Sequence, residues 1–335
     1  MMKIIVDAMG GDHAPIEVLK GCVEAANEYR LNLTLVGKED LIKKHLTAMN
    51  ASLEFFEIIN ASEVIEPDET PVTAIKRKKD SSMVRGFELL RQDPSSVFIS
   101  AGSTGALMAG GLLRVGRIKG INRPALAPLI PTKKNPVLLV DAGANADCKP
   151  INLVQFAIMG SVYMEKVLGR EKPTVGLVNI GTEDTKGNEL TKETYSLLQD
   201  QKNINFFGNV EARDIPAGIV DIVVCDGFTG NIILKLTEGL ASNIFGIMKE
   251  EFTKDFRSKI GALLLKPSLR SLKDTMDYAE HGGAPLLGIN GGIIKAHGSS
   301  DARAIKNAIR QGMLFAEQQV LSNIKAHIAG DSKEV

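Results

Sequence analysis

The sequence predicts an α/β fold: a largely parallel sheet with helices on both faces. Short apolar runs alternate along the chain with longer segments in which apolar residues recur at helical spacing. Two such pairs precede Asn60: a strand at 3–6 with a helix at 16–29, and a strand at 32–36 with a helix at 39–49. Consecutive βα units of this kind favour parallel strands joined by right-handed crossovers.

The remaining strands are predicted where a short apolar run ends at residues that favour turns. These runs lie at 53–59, 97–99, 125–130, 136–140, 174–179, 204–207 and 220–224. Further helices are predicted at 152–168, 189–198, 232–252 and 302–328. Ser300 or Asp301 can cap the last of them, because their side-chain oxygens accept hydrogen bonds from free N–H groups. No low-complexity linker interrupts the chain, so residues 1–335 are expected to form a single α/β unit with a soft internal boundary.

The composition argues against nucleic-acid binding. Lys and Arg together number 40, as do Asp and Glu, so the chain carries no net basic charge. The hydrophobic content of 44% supplies a large core, yet no apolar run reaches the roughly 18 residues of a membrane span. The first apolar run is too short for a signal peptide, and the three cysteines match neither a disulfide framework nor a zinc site. We therefore expect a cytoplasmic protein.

The segment 253–280 interrupts the βα alternation and is expected to protrude as a helical hairpin or interfacial segment. Phe256, Leu263 and Leu264 recur at helical spacing among Lys and Arg residues, and Pro267 is expected to break the helix. A basic amphipathic helix of this kind is typical of a membrane surface. A hairpin packed at a dimer contact would show the same pattern, so both interpretations stay open. A membrane contact would associate the protein peripherally with the inner face of the membrane.

A second basic feature is the run IKRKK at 75–79, which lies in a segment punctuated by Pro67 and Pro71. Its simplest interpretation is the solvated face of a helix. The alternative is a docking patch for an acidic partner protein.

Small polar turns follow six of the strand-like runs and suggest a shared anion site. They begin at Asp7, Ser100, Asp141, Gly181, Asp226 and His297. Ligands of open α/β sheets bind beyond the carboxyl ends of the strands, where glycines and backbone N–H groups can approach an anion closely. The central turn is SAGSTGAL at 100–107, between a buried strand and a helix rich in small residues. We predict that these turns meet at one phosphate-handling cleft.

The turns contain few cations, so hydroxyl and amide donors are expected to carry much of the anion binding. The candidate charges are His13, Lys186, Lys295 and His297. The turns also hold the carboxylates of Asp7, Asp12, Asp141 and Asp226. We interpret these carboxylates as helix caps or as groups that orient donors. A divalent cation bound by their oxygen atoms is the alternative.

Several familiar motifs are absent. The first βα unit lacks a G-x-G-x-x-G fingerprint, which disfavours nicotinamide binding, and the chain lacks the phosphate loop of P-loop NTPases. It also lacks the G-x-S-x-G elbow of a serine nucleophile. Cys225 ends a predicted strand, where a thiol is expected to be buried and inert.

Motifs in a fixed order span nearly the whole chain. They are VDAMGGDHAP at 6–15, RKKDSSM at 77–83, VGRIKG at 115–120, GTEDTKGNE at 181–189, GNVEARD at 208–214, CDGFTGN at 225–231 and KAHGSSD at 295–301. In this combination they resemble the phosphate acyltransferase family of bacterial phospholipid synthesis. The chain departs from the family pattern at Ser103, where the family usually has Asn, and at Ala142, where it usually has Val.

The resemblance implies an enzyme that transfers a long-chain fatty acyl group from acyl carrier protein to inorganic phosphate. The acyl-phosphate product would feed a membrane acyltransferase that acts on glycerol 3-phosphate. The resemblance also implies a homodimer, and a fold similar to those of isocitrate and isopropylmalate dehydrogenases and of phosphotransacetylases. No cofactor is expected, with a divalent metal as the alternative. The alternatives are a short-chain phosphotransacylase that uses coenzyme A and a non-catalytic scaffold that binds acyl carrier protein and membrane. A β-decarboxylating dehydrogenase on the same fold is a weaker alternative.

The chemistry needs no protein nucleophile, because phosphate itself attacks the thioester. Catalytic roles are assigned to Asp226, Asn231, His13 and Lys186. Substrate binding is assigned to Gly10, Gly11, Asp12, Ser103, Thr104, Gly105, Asp141, Asn145, Gly181, Thr229, Gly230, His297, Gly298 and Ser299. No residue is assigned as a metal ligand.

Overall fold

The computed structural model describes residues 3–276 and 282–331, so part of the segment 253–280 lies outside the described residues. The strands, in chain order, are β1 (Ile4–Asp7), β2 (Leu33–Gly37), β3 (Phe56–Asn60), β4 (Val97–Ser100), β5 (Ala125–Leu126), β6 (Leu129–Ile130), β7 (Val137–Val140), β8 (Thr174–Asn179), β9 (Asn205–Glu211), β10 (Ile222–Val224), β11 (Ala284–Leu287) and β12 (Gly292–Lys295). The helices are α1 (Ile16–Tyr29), α2 (Glu39–Ala48), α3 (Pro71–Arg77), α4 (Ser82–Gln92), α5 (Thr104–Gly110), α6 (Pro150–Leu168), α7 (Glu189–Gln199), α8 (Gly227–Thr253), α9 (Phe256–Met276), α10 (Ala302–Glu317) and α11 (Val320–Asp331).

These strands form two sheets. The first has the order β3-β2-β1-β4-β12-β11-β5, and the second has the order β6-β7-β10-β8-β9. Strands β3, β2, β1, β4 and β12 are parallel, as are β7, β10, β8 and β9. Among the named strands of the described residues, the antiparallel pairings are those of β11 with β12 and β5, and that of β6 with β7. The prediction of a largely parallel α/β fold is confirmed, but the strands are divided between two sheets.

The division falls inside the run 125–130, which the sequence predicts as one strand. The N–H of Ala127 donates to Pro285 O, which belongs to the first sheet. The carbonyl of Pro128 accepts from Leu139 N, which belongs to the second sheet. Because proline cannot donate to a strand ladder, the run changes partner at Pro128 and yields β5 and β6 in different sheets.

The two sheets share buried packing. Val6 and Ile99 of the first sheet lie in the same hydrophobic cluster as Val140 and Val224 of the second. Helix α6, mostly buried, packs on β7 and β10 and also against α10 and α11. Tyr163 on α6 accepts a hydrogen bond of 2.6 Å from the amide of Gln311 on α10. This joint core positions the ends of the two sets of strands against each other, while the single-unit assignment with a soft boundary stays a prediction.

The main differences between the helices and the sequence-based expectation lie in three places. Helix α8 begins at Gly227 rather than 232, because Asp226 caps it through Thr229 N at 2.9 Å. The last predicted helix is split at Gln319, whose φ of 52° cannot continue a right-handed helix. The expected break at Pro267 is wrong, since α9 continues through it. Neighbouring residues of α9 are exposed, so water can satisfy the carbonyl that proline leaves without a donor.

Helices α8 and α9 pack against each other as a hairpin with an exposed apolar surface. On α8 this surface consists of Ile232, Leu236, Leu240, Ile244 and Ile247. On α9 it includes Phe256, Ile260, Leu263, Leu264 and Leu265. None of the described helices combines the length and apolar character required to cross a bilayer.

Candidate active site

The central cleft has a volume of about 310 Å³ and lies where the two sheets meet. The turn after β4 contributes Thr104 and Gly105, and the turn after β7 contributes Ala142 and Gly143. Asn231 lines the cleft from the first turns of α8, and the end of β12 and the turn after it contribute Lys295 and His297. Four of the six predicted turns, which we call corners, therefore line one cleft, and they come from both sheets.

The corner after β4 is fixed by an internal hydrogen-bond network. The hydroxyl of Ser100 donates to Asp7 Oδ2 at 2.7 Å and accepts from Gly102 N at 3.1 Å. Ser103 caps α5 by accepting from Ala106 N at 3.4 Å. Burial raises the pKa of Asp7, while hydrogen bonds from Ser82 and Ser100 oppose that increase. With Ser100 and Ser103 holding the turn, Thr104 and Gly105 face the cleft.

The corner after β7 depends on the buried carboxylate of Asp141. It accepts hydrogen bonds from the backbone N–H groups of Leu126 at 2.9 Å, Ala144 at 3.1 Å and Asn145 at 2.7 Å. The amide of Asn145 also donates to Asp141 Oδ2 at 2.9 Å and to Pro124 O at 2.7 Å. Desolvation raises the pKa of Asp141, and these hydrogen bonds oppose the increase. The polar atoms of both predicted site residues therefore join the two sheets, and their contact with substrate stays a prediction.

The first turn of α8 packs closely against the corner after β7. Gly227 N donates to Asn145 O at 2.7 Å, and a Cβ at Gly230 would lie 1.9 Å from Asp141 O. Asp226 accepts from both the backbone N–H and the hydroxyl of Thr229, at 2.9 and 2.8 Å. This close approach, which only glycine allows, places the exposed side chain of Asn231 in the wall of the cleft.

The end of β12 and the turn after it bring the side chains of Lys295 and His297 to the cleft. Lys295 is 8% exposed, and burial lowers its pKa to about 8. His297 Nδ1 accepts from Ser299 N at 3.2 Å and lies 2.8 Å from Ser299 Oγ. Burial also lowers the pKa of His297, which favours the neutral form of its imidazole.

The corner after β1 contacts the corners after β4 and β12. A Cβ at Gly10 would lie 2.7 Å from Gly102 N, and Asp12 N donates to Gly298 O at 2.8 Å. Gly11 similarly approaches Gly298 O and Ala101, which leaves no space for a larger residue. The structure thus brings Gly10, Gly11, Asp12 and Gly298 together, but none of these four residues lines the cleft. His13 is exposed in the same turn and does not line it.

The corner after β8 lies apart from the others. In the second sheet, β8 is separated from β7 by β10. Gly181 packs against the side chains of Glu183 and Lys186 of its own turn, and the exposed Lys186 does not line the cleft. The amide of Asn179 donates to Lys186 O at 3.1 Å and closes this turn on itself. The predicted catalytic role of Lys186 has no support from its position.

Sequence reasoning missed the apolar wall of the cleft. It is formed by Met108, Leu126, Pro128, Leu129, Leu234 and Ala284. Most of these residues lie in helices or strands whose apolar patterns indicate only core packing. The one sequence signal was the proline inside the run 125–130, which could have indicated the change of sheet. Cys225 is buried as predicted, and desolvation raises the pKa of its thiol well above the ordinary value. Across residues 3–276 and 282–331, no group of three or more His, Cys, Asp or Glu side chains is arranged to hold a metal ion.

Comparison with known proteins identifies the family. The family described as "Fatty acid synthesis protein" matches residues 2–323. A phosphate acyltransferase from Alkaliphilus oremlandii is 56% identical over 328 residues, which cover 98% of each chain. The chain belongs to this phosphate acyltransferase family. Membership makes it an acyltransferase of lipid biosynthesis, and the expectation drawn from the motifs is confirmed.

Solved structures show the same fold at low sequence identity. The EutD phosphotransacetylase from Staphylococcus aureus matches with a TM-score of 0.63 and 14% identity, covering 94% of both chains. A 4-hydroxythreonine-4-phosphate dehydrogenase from Klebsiella pneumoniae matches with a TM-score of 0.50 and 12% identity, covering 94% of this chain and all of that one. This chain thus has a fold similar to those of a phosphotransacetylase and a dehydrogenase.

Proposed function

We propose that this chain transfers a long-chain fatty acyl group from acyl carrier protein to inorganic phosphate in the central cleft. The observation that carries the proposal is the two-sided lining of that cleft. Donors such as Thr104 and Asn231 lie on one part of it, and apolar side chains such as Met108 and Leu129 lie on another. Polar groups suit phosphate and the thioester carbonyl, whereas the apolar wall suits the adjoining acyl chain.

In the proposed reaction, a phosphate oxygen attacks the thioester carbonyl carbon and the carbon–sulfur bond then breaks. Hydrogen phosphate loses one proton and the departing thiolate gains one, so the products are acyl-phosphate and a free thiol. The side-chain amide of Asn231 donates to phosphate or to the oxyanion that develops on the carbonyl. Asp226 and Thr229 position Asn231 by fixing the first turn of α8.

The other predicted residues receive roles according to their positions. Thr104, Gly105 and His297 contact substrate, because they line the cleft. Ser103, Thr229, Gly230 and Ser299 hold the turns that present these groups, as do Asp141 and Asn145 on the other side. The proposal gives His13, Gly181 and Lys186 no contact with the reacting atoms. It includes no cofactor or metal.

Acyl carrier protein is proposed to dock at the basic end of α3. Lys76, Arg77 and Lys79 are exposed, whereas Lys78 is held by Glu69 and Val64 O. A Cβ at Gly105 would meet Pro71 at 2.8 Å, so the other end of α3 touches the cleft. With a rise of about 1.5 Å per residue, the basic end lies roughly 9 Å farther along the helix. An acidic carrier bound there could direct its thioester into the cleft.

The hairpin formed by α8 and α9 is proposed to serve a second copy of this chain and the membrane surface. The apolar stripe of α8 suits a homodimer contact. On α9, Leu263 and Leu264 are 69% and 78% exposed beside cationic side chains such as Lys259 and Lys266, which suits an anionic lipid surface. Such a cytoplasmic, peripherally bound enzyme would deliver acyl-phosphate to a membrane acyltransferase acting on glycerol 3-phosphate.

The test is a phosphate-transfer assay with purified protein. Palmitoyl-acyl carrier protein and radiolabelled phosphate are expected to give labelled acyl-phosphate, with one thiol released per label incorporated. Equal or better turnover of acetyl-CoA or butyryl-CoA would instead identify a short-chain phosphotransacylase. Binding of the carrier without any phosphate-dependent loss of thioester would identify a scaffold, and nicotinamide reduction would identify a dehydrogenase.

A further inference from the structure

Lys295 is a buried cation in the cleft that the reaction described above does not use. It is 8% exposed at the end of β12, next to the corner after β4. The other lysine of the cleft, Lys235, is exposed on α8 and forms an ion pair of 2.8 Å with Glu238. The two lysines therefore differ in both burial and pairing.

The partners of Lys295 are neutral oxygen atoms. Its Nζ hydrogen-bonds to the carbonyl of Ala296 and, at 3.4 Å, to the carbonyl of Ala101. No carboxylate in the described part of the chain forms an ion pair with it. Asp7 and Asp12 act on it only as more distant charges. A buried ammonium without a counterion is unfavourable, so this site suits an anionic ligand that can pair with it.

We propose that Lys295 binds the phosphate substrate and balances its negative charge within the cleft. This inference rests on the proposed function. Thr104 and Asn231 supply hydroxyl and amide donors to the cleft. Lys295 adds a positive charge to the same cleft from the first sheet. The proposed role is that of a fixed charge: the proton lost by hydrogen phosphate balances the one gained by the thiolate, so the reaction requires no net proton from Lys295.

The surroundings of Lys295 give the proposal a pH signature. Asp7 and Asp12 on the β1 side favour its charged form, while Lys235 on α8 disfavours it. His297, two residues along, interacts with Lys295 and also with Glu238. Burial outweighs the acidic neighbours and brings the pKa of Lys295 down to about 8. As pH rises through this value the ammonium loses its proton, so phosphate affinity is expected to fall above about pH 8.

The experiment compares Lys295→Met and Lys295→Arg with a control, Lys192→Met, on the exposed surface of α7. Kinetics are measured at saturating acyl carrier protein thioester while phosphate is varied. Lys295→Met is expected to raise the KM for phosphate roughly 10- to 100-fold, the loss expected for one charge-assisted hydrogen bond. The KM for the thioester is expected to stay unchanged, and Lys192→Met to match the wild type. Lys295→Arg keeps its charge at high pH, so it is expected to lose the decline in phosphate affinity above about pH 8.

An unchanged KM for phosphate in folded Lys295→Met would overturn the proposal. If that variant does not fold, the phosphate-induced rise in Tm of the wild-type protein supplies the second measurement. A rise that diminishes above about pH 8 supports the role of Lys295, and a rise that stays constant to pH 9.5 contradicts it. The Tm measurement needs no turnover, so absence of acyl-phosphate in the wild-type assay would refute the proposed function without deciding the role of Lys295.

Discussion

The N-terminal end of helix α8 and the remainder of the helix differ in how closely they pack against the rest of the protein. At its N-terminal end, Cβ atoms at Gly227 and Gly230 would lie 2.6 Å from Asn145 O and 1.9 Å from Asp141 O. Farther along the same helix, Cβ atoms at Gly239 and Gly246 would meet nothing within 4 Å. The first end is fixed by backbone contacts that form the cleft, whereas the remainder presents an apolar stripe to its surroundings.

The difference separates two kinds of constraint on one continuous helix. Near the cleft, the residue type is dictated by the space that the neighbouring backbone leaves. Along the hairpin, polar and apolar residues alternate at helical spacing with little internal packing. Substitutions at the first end should therefore change folding and catalysis, while those in the hairpin should change association with partners.

The largest effect is expected for Gly230→Ala. The new methyl group would overlap the carbonyl of Asp141, and a backbone atom at this buried corner has little room to move. We expect a loss of about 3 kcal/mol or more in unfolding free energy, with catalysis impaired in any folded fraction. Urea unfolding checks this. Gly239→Ala on the same helix is the matched control and is expected to be neutral or to stabilise by about 0.5–1 kcal/mol. Equal effects of the two substitutions would contradict the comparison.

The next effect concerns catalysis alone. Asn231→Ala removes a donor from the cleft without removing a buried contact, so kcat/KM for acyl-phosphate formation is expected to fall roughly 10²- to 10³-fold. Its Tm is expected to remain close to that of the wild type because the side chain is exposed. Undiminished turnover in folded protein would remove Asn231 from the site.

A smaller effect is expected from charge reversal on α3. The double variant Lys76→Glu, Arg77→Glu is expected to raise the KM for acyl carrier protein thioester roughly tenfold at low salt. The difference should shrink as salt is added, because added ions screen exposed charges. Lys192→Glu on α7 is the control for net charge, and an equal change in that variant would argue against a docking patch.

The smallest effect on the isolated protein is expected in the hairpin. Leu263→Glu with Leu264→Glu should change unfolding free energy by no more than about 0.5 kcal/mol, because both side chains are exposed. Flotation with anionic liposomes is nevertheless expected to be lost. Retained flotation would show that this surface of α9 does not bind the membrane, and sedimentation of the same variant would reveal a dimer contact instead.

The sequence predicted the corners better than their arrangement. Glycine and polar residues after short apolar runs located the turns at Asp7, Ser100, Asp141 and Asp226, because strand ends and close backbone approach demand those residue types. Local pattern does not encode which strands become neighbours. For that reason the turn containing Lys186 appeared equivalent to the others although it lies outside the cleft. The split of the run at Pro128 depends equally on long-range pairing.

Candidate roles were hardest to predict where a polar side chain forms hydrogen bonds with the backbone. Asp141 and Asn145 have the residue types of a binding site, yet the structure uses their polar atoms to join the two sheets. Conversely, the sequence predicts Lys295 as one of four candidate charges, but only its position at the end of β12 shows that this charge is buried within the cleft. In both cases the role of the side chain depends on its neighbouring atoms, and these come from residues distant in sequence.

The central claim is that corners from both sheets form one phosphate site. A crystal structure of the protein with bound phosphate tests it most directly. The account predicts phosphate within hydrogen-bond distance of Asn231 from the second sheet and of Thr104 or Lys295 from the first. Phosphate bound at the Gly181–Lys186 turn, with the central cleft free of it, would contradict the account.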